Sequence, residues 1–316
     1  MFKVKMDSEF LLQIENPNME RLLLRGENIP PLEELLNAEA QRFKKLQELK
    51  EQGKLNFGDK IKSDELRELF PKISAEVNGL LGVESIDTPS FGYYSLFRPG
   101  LNTTPIMLAY VISASIPIMA GTSMLINQNL ERSSLIIAGM GALALIATAQ
   151  THWEMTKFIH YNPLSKFVNL KRDLRAKLIP SAGHEYTHHI QNLKVASGVL
   201  RKYYIFREGH ARGVERHLSN DYREREDNEA FLYDILDTTV GELKSAYVWL
   251  CRKLGKPVRK NLLKTKSSSG EAGSLVGLIS IKPSPHSIGN TLFSLYEAQY
   301  GKRIYSDMIQ GNFAFR

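Results

Sequence analysis

Apolar positions recur at helical spacing through most of the chain. Leu32, Leu35, Leu36, Ala40, Phe43 and Leu46 fall three or four residues apart, which predicts an amphipathic helix. Pro30-Pro31-Leu32-Glu33-Glu34 suits its start, because proline is tolerated in a first turn and acidic side chains favour the N-terminal end of the helix dipole. Gly53 suits its stop. A second helix is expected after Ser63, with Leu66, Leu69, Phe70, Ile73 and Val77 on its apolar side. Later in the chain, Ser181 offers an N-cap after Pro180 for a helix reaching about Ala196, with Gly198 breaking it. Val199 to Ile205 then reads as an apolar connector, and Phe206 to Leu218 as another helix. A long helix is expected from Arg225 to Leu254, ended by Gly255 and Pro257. Lys256 to Gly273 turns basic and then Ser/Gly-rich, as a loop or linker does. Strand signal is confined to Gly273 to Lys282, so the expected fold class is mainly α.

One region departs from this amphipathic pattern. Pro99 to Leu130 contains no Asp, Glu, Lys or Arg, and after Glu131 and Arg132 the stretch Ser133 to Trp153 is again without them. A run of about twenty apolar residues, rising 1.5 Å each, matches a hydrocarbon core of about 30 Å. The pair therefore predicts a transmembrane helical hairpin turning at Asn127 to Ser134, its helices brought close by Gly121, Gly139 and Gly141. The competing reading is a hairpin buried inside a soluble domain. The second segment, Leu135 to Ala149, is strongly apolar for only fifteen residues, but the combined lengths favour the membrane. The pattern divides the chain into a helical N-terminal region over 1–98, the apolar hairpin over 99–153 and a third region over 154–316.

Charge refines this picture. The whole chain is +7, whereas residues 1–98 carry 14 Lys/Arg against 17 Asp/Glu, which leaves +10 for the remainder. Lys157, Lys166, Lys171, Arg172, Arg175 and Lys177 follow the hairpin, whose turn carries a single Arg. By the positive-inside tendency both flanks are expected on the cytoplasmic side of a membrane. The basic run could rest on anionic headgroups, or be the solvated face of a connecting helix. No aromatic-basic motif accompanies it, so no nucleic-acid partner is expected. Cys251 is the sole cysteine, which excludes an intramolecular disulfide framework and suits a reducing compartment. Met1 to Phe10 carries Lys3, Lys5, Asp7 and Glu9 without an apolar core, so no secretory signal is expected.

The chemistry-bearing stretch is His184-Glu185-Tyr186-Thr187-His188. On a helix, residues four apart share one face, so the two imidazoles can close on one metal ion. Glu185 points slightly aside and can take a proton from an attacking water without becoming a ligand. This H-E-x-x-H pattern is that of zinc metallopeptidases. A catalytic zinc ordinarily has three protein ligands and one open position.

Downstream the chain reads Phe206-Arg207-Glu208-Gly209-His210-Ala211, with nineteen residues between His188 and Glu208. H-E-x-x-H followed by Glu at this distance resembles the gluzincin group of metallopeptidases, which includes thermolysin and the zinc aminopeptidases. The resemblance covers residues 181 to about 220 and has an echo near the C-terminus. It implies one zinc ion held by His184, His188 and Glu208, Glu185 as general base, and a zincin-like metallopeptidase domain over 154–316. One position departs from the group. An acidic residue one turn beyond the third ligand supports a metal-bound His in thermolysin-like enzymes, but here Arg212 stands there. Glu215 could take that supporting role or be a solvated helix residue, and Asp234 or Asp237 are further candidates. His189, His210 and His217 are expected to be bystanders, the last two on exposed turns. Pro285-His286-Ser287-Ile288-Gly289 leading to Tyr300-Gly301 is similar to the helix that closes aminopeptidase-like domains. By that resemblance His286 stands where a Tyr commonly donates to the oxyanion; otherwise it starts a helix or touches substrate.

The expected function is hydrolysis of peptide or protein substrates by a membrane-associated zinc metallopeptidase facing the cytoplasm. The alternatives are a non-catalytic helical membrane scaffold with a degenerate metal site, or a soluble zincin with a buried hairpin.

Overall fold

The computed structural model describes residues 21–25, 28–84, 86–93, 160–162, 166–170, 173–195, 198–202, 204–264 and 283–313. The described chain is mainly helical. It divides into two compact units, Met1–Thr88 with Arg172–Arg316, and Pro89–Lys171. The first unit contains α1 (Ile29–Glu51), α2 (Ser63–Leu81), α3 (Arg175–Lys194), α4 (Gly198–Lys202), α5 (Tyr204–Glu226), α6 (Ala230–Lys253), α7 (Pro285–Tyr300) and α8 (Arg303–Ile309). A short 3-10 turn at Lys260–Leu263 follows α6.

The N-terminal periodicity is realised as expected. Leu32, Leu36, Ala40, Phe43 and Leu46 are the buried positions of α1, which packs on α6. Leu66, Leu69, Phe70, Ile73 and Val77 are buried on α2, which packs on α3. Each fully buried Leu or Phe contributes roughly 1.5–3 kcal/mol by leaving water. Gly82 ends α2 in the left-handed conformation, φ 60°, which glycine adopts without steric cost.

α3 corrects the expected helix start. It begins at Arg175, so Ser181 is interior and not an N-cap, and Pro180 lies within the helix. The first amides of α3 are satisfied from a distance: Arg175 N donates to Asp59 O at 3.0 Å and Ala176 N to Phe57 O at 3.1 Å. Backbone carbonyls from residues 57–59 thus replace a side-chain cap. Likewise α5 is longer than the sequence pattern indicated, and part of the connector before it is the short helix α4.

α5 is the centre of this unit, touching α3, α6 and α7. Its contact with α7 is made backbone to backbone. A Cβ on Gly209 would lie 2.2 Å from Gly289 O, and one on Gly289 would lie 2.1 Å from Ile205 O. No side chain fits at either position, so the first turn of α7 lies directly against the first turns of α5.

The second unit contributes a three-stranded sheet of order β1-β3-β2, made of β1 (Ser90–Tyr93), β2 (His160–Asn162) and β3 (Phe167–Leu170). β1 runs parallel to β3 with Ser90 opposite Phe167, and β2 antiparallel with His160 opposite Asn169. Sequence periodicity gave no sign of these strands, which are only three or four residues long. The apolar hairpin expected over 99–153 and the strand expected over 273–282 lie outside the described residues. Among the described residues, no helix is long and apolar enough to cross a membrane.

Two glycine substitutions should separate close approach from helix propensity. Gly209→Ala forces Cβ into a backbone carbonyl and is expected to cost about 1–3 kcal/mol in chemical denaturation. Gly79→Ala, inside α2 with nothing within 4 Å, is expected to stabilise by about 0.5–1 kcal/mol in the same assay.

Candidate metal centre

α3 sets His184 and His188 one turn apart, as the four-residue spacing requires, and their rings meet edge to face with centroids 4.9 Å apart. α5 brings Glu208 against them from its first turns. The Nε2 atoms of the two imidazoles are 3.2 Å apart. Glu208 Oε2 lies 3.6 Å from His184 Nε2, and Glu208 Oε1 lies 3.3 Å from His188 Nε2. Among the described residues these three side chains form a group whose donor atoms all lie within 4.8 Å of one another.

These separations can be compared with a metal's demands. Ligands bonded to zinc at about 2.0–2.1 Å in a tetrahedron stand about 3.3 Å from each other. The observed separations, 3.2 Å between the two imidazole nitrogens and 3.3 and 3.6 Å from them to the two different oxygens of Glu208, are of that order. Two imidazole nitrogens and a carboxylate oxygen are also a donor set zinc accepts, with a fourth direction left open. Residues twenty apart in sequence reach this geometry because α3 and α5 pack side by side.

The trio is backed by further polar groups. His184 Nδ1 lies 3.2 Å from Glu215 Oε2, close enough to be an ion pair although the alignment falls short of a regular hydrogen bond. Glu215 Oε2 in turn accepts from Arg212 Nη1 at 2.7 Å. Glu215 therefore stands behind His184, and Arg212, in the position where the resemblance expects an acid, holds Glu215 in place. On the other ring, His188 Nδ1 meets Gln191 Oε1 at 2.9 Å. Supporting contacts of this kind orient metal-binding imidazoles.

Buried charge shapes the titration of the centre. Burial alone would lower the His184 pKa, but its bonds to the Glu208 and Glu215 carboxylates outweigh this and raise it to about 10. Burial would raise Glu208, but His188, His184 and His286 instead hold its carboxyl far below the ordinary range. Burial likewise opposes ionisation of Glu215, yet Arg212 and His184 bring it down to about 2. In the metal-free centre at neutral pH, a protonated His184 thus lies between two carboxylates.

Glu185 is buried beside His184, and among the described residues nothing bonds to its carboxylate, which leaves it free to accept a proton. His286 occupies the first turn of α7, after Ser284, whose Oγ accepts from Ser287 N at 3.1 Å as an N-cap. Its Nδ1 lies 3.6 Å from Glu208 Oε2 while its side chain stays 61% exposed. The structure thus brings His184, His188, Glu208 and His286 into one neighbourhood, with Glu185 next to His184 on α3.

Other expected placements change. Asp234 pairs with Lys177 at 2.6 Å, and it is Glu215 that faces His184. His189 is a bystander as expected, buried with Nε2 3.1 Å from Asp87 O. His210 is not on an exposed turn; it is fully buried in α5, where burial pushes its pKa down to about 4. His217 is also within α5, with only 14% of its side chain exposed, beside Asp221. Gln191 was missed as a functional residue, although its place three residues after His188 puts it on the same helix face.

Comparison with known protein families, with curated proteins and with solved structures gives no match to this chain. Interpretation of the centre therefore rests on its own geometry.

Two outcomes test that geometry. His184 must lose its proton to ligate, so zinc binding at pH 7–8 is expected to release about one proton per ion, read by calorimetry in buffers of different ionisation enthalpy. Because the folded pKa is raised, zinc affinity should climb about tenfold per pH unit and level off only near pH 10. Glu215→Ala removes the support of His184 and is expected to weaken zinc about 10–100-fold in competition with a chelator.

Proposed function

We propose that this chain is a zinc-dependent metallopeptidase with a zincin-like helical core of gluzincin type. The observation that carries the reading is the cluster of His184, His188 and Glu208, whose donor atoms lie within 4.8 Å of one another, with the buried Glu185 next to His184 in the chain. Zinc held there would supply Lewis acidity, lowering the pKa of water toward neutrality and polarising a peptide carbonyl.

The chain's own residues divide the remaining work. Glu185 accepts the proton of the attacking water and delivers it to the departing amine, which keeps both steps at one buried carboxylate. His286 is exposed at the mouth of α7 and linked to Glu208, so it can donate a hydrogen bond to the oxyanion that forms as the carbonyl becomes tetrahedral. The neighbouring carboxylate raises the His286 pKa, which favours its donating form. Glu215 and Gln191 hold the two ligating rings in orientation.

A membrane location belongs to this proposal through the apolar stretch 99–153, which is supported by sequence alone and is tested by the detergent dependence of the purified protein. A second reading has its own support. His184 closes an ionic cluster with Glu208 and Glu215 without a metal, as a non-catalytic scaffold would require.

Zinc per chain and peptide hydrolysis separate the two. The metallopeptidase reading expects one zinc in the parent, its loss or weakening in His184→Ala and Glu208→Ala, and loss of hydrolysis in Glu185→Gln with zinc retained. Hydrolysis by Glu185→Gln at the parental rate would sink the mechanism, and a folded parent without metal would favour the scaffold.

A further inference from the structure

Gln191 is 1% exposed and meets four polar atoms from three residues. Its Nε2 lies 3.0 Å from Arg207 O and 3.1 Å from His210 Nδ1. Its Oε1 lies 2.9 Å from His188 Nδ1 and 3.3 Å from Arg207 Nε. Two of these partners have a polarity that cannot change. A backbone carbonyl only accepts, and a guanidinium nitrogen only donates. Both are supplied by Arg207, and together they fix which end of the Gln191 amide is nitrogen. Flipping the amide would set oxygen against the Arg207 carbonyl and NH2 against the guanidinium.

The two imidazoles then have no choice. His188 Nδ1 faces an oxygen whose orientation is set, so it must carry a proton, and when the ring is neutral the lone pair is on Nε2, the atom 3.3 Å from Glu208 Oε1. His210 Nδ1 faces an NH2 group, so it must accept. Its proton lies on Nε2, which is 3.1 Å from Tyr305 O, an acceptor. The carbonyl of α8 agrees independently with the polarity set by Arg207. His188 Nε2 is the atom directed at His184 and Glu208.

We infer that Gln191, oriented by Arg207 and seated on His210, is a positioning residue that keeps a proton on His188 Nδ1 before any metal arrives, so that Nε2 is the nitrogen the neutral ring offers. Free imidazole side chains in water favour the opposite tautomer, which would turn an N–H toward the ion. This inference deepens the metallopeptidase reading and rests on it for its purpose, but the tautomer itself is a property of the metal-free chain.

The test begins with the full-length, metal-free protein labelled with 15N-histidine. Long-range proton–nitrogen correlation spectra are recorded at pH 8, with His188 and His210 assigned by substitution. The expected result is a protonated Nδ1 on His188, and a bare Nδ1 with a protonated Nε2 on His210. A bare Nδ1 on His188 would overturn the inference. Gln191→Met, similar in volume, is expected to release His188 into a mixture of tautomers and to weaken zinc about 10–100-fold. Gln191→Glu keeps an acceptor facing His188 and Arg207 and is expected to restore the His188 Nδ1 proton, at a cost in stability because its second oxygen faces the Arg207 carbonyl. An unchanged tautomer in Gln191→Met, or a changed tautomer with unchanged zinc affinity, would remove Gln191 from this role. If the parent binds no zinc while His188 still carries Nδ1–H, the metallopeptidase reading fails and the tautomer lock stands. If Gln191→Met does not fold, the parental spectrum alone decides.

Discussion

The metal centre depends on a contact that has no side chain in it. At Gly209 and Gly289 the backbones of α5 and α7 touch so closely that neither residue can carry a Cβ. The same closeness puts His286, three residues before Gly289, over Glu208, one residue before Gly209. A larger residue at either glycine would part the helices and separate His286 from Glu208. Backbone packing that resists compression holds this spacing more firmly than a flexible side-chain contact would.

Charge is the second constraint. Glu208 and Glu215 are nearly buried carboxylates, and isolated charges of that kind are costly in a protein interior. Each is compensated by groups drawn from several helices: His184 and His188 from α3, Arg212 from α5 itself, and His286 from α7. Behind them the compensation continues through Arg216, which donates to Asn290 at 2.5 Å and to Glu297 at 2.7 Å, while the Tyr305 hydroxyl also donates to Glu297. Polar groups paired this fully confine the helices to one arrangement, because any slip would leave a buried charge exposed to nothing.

Much of the centre was legible because helical spacing is strict. His184 and His188 could be assigned to one face from four-residue spacing alone, and the reach of Glu208 followed from a resemblance that needs no structure. Other parts were hidden because their cause is tertiary. The start of α3 is satisfied by carbonyls of residues 57–59, so Ser181 looked like a cap only because the real one is remote in sequence. His210 looked like a bystander, since nothing local reveals that its ring bridges Gln191 and the Tyr305 carbonyl. Arg212 looked like a defect, whereas Glu215 meets His184 and Arg212 completes the pair. The three short strands offered too few residues for an alternating pattern to register.

The remote capping of α3 has a consequence for how the chain can vary. Residues 57–61 and 173–176 meet through several backbone hydrogen bonds, including Ile61 N to Asp173 O at 3.3 Å. That junction closes a loop of more than a hundred residues, and the whole of Pro89–Lys171 falls inside it. Loop closure becomes only about 0.6 kcal/mol more costly for each doubling of length. An insert of this size can therefore grow, shrink or change its surroundings at little thermodynamic expense to the helices on either side. The part of the chain that carries the candidate metal centre is in this sense insulated from the history of the segment threaded through its middle.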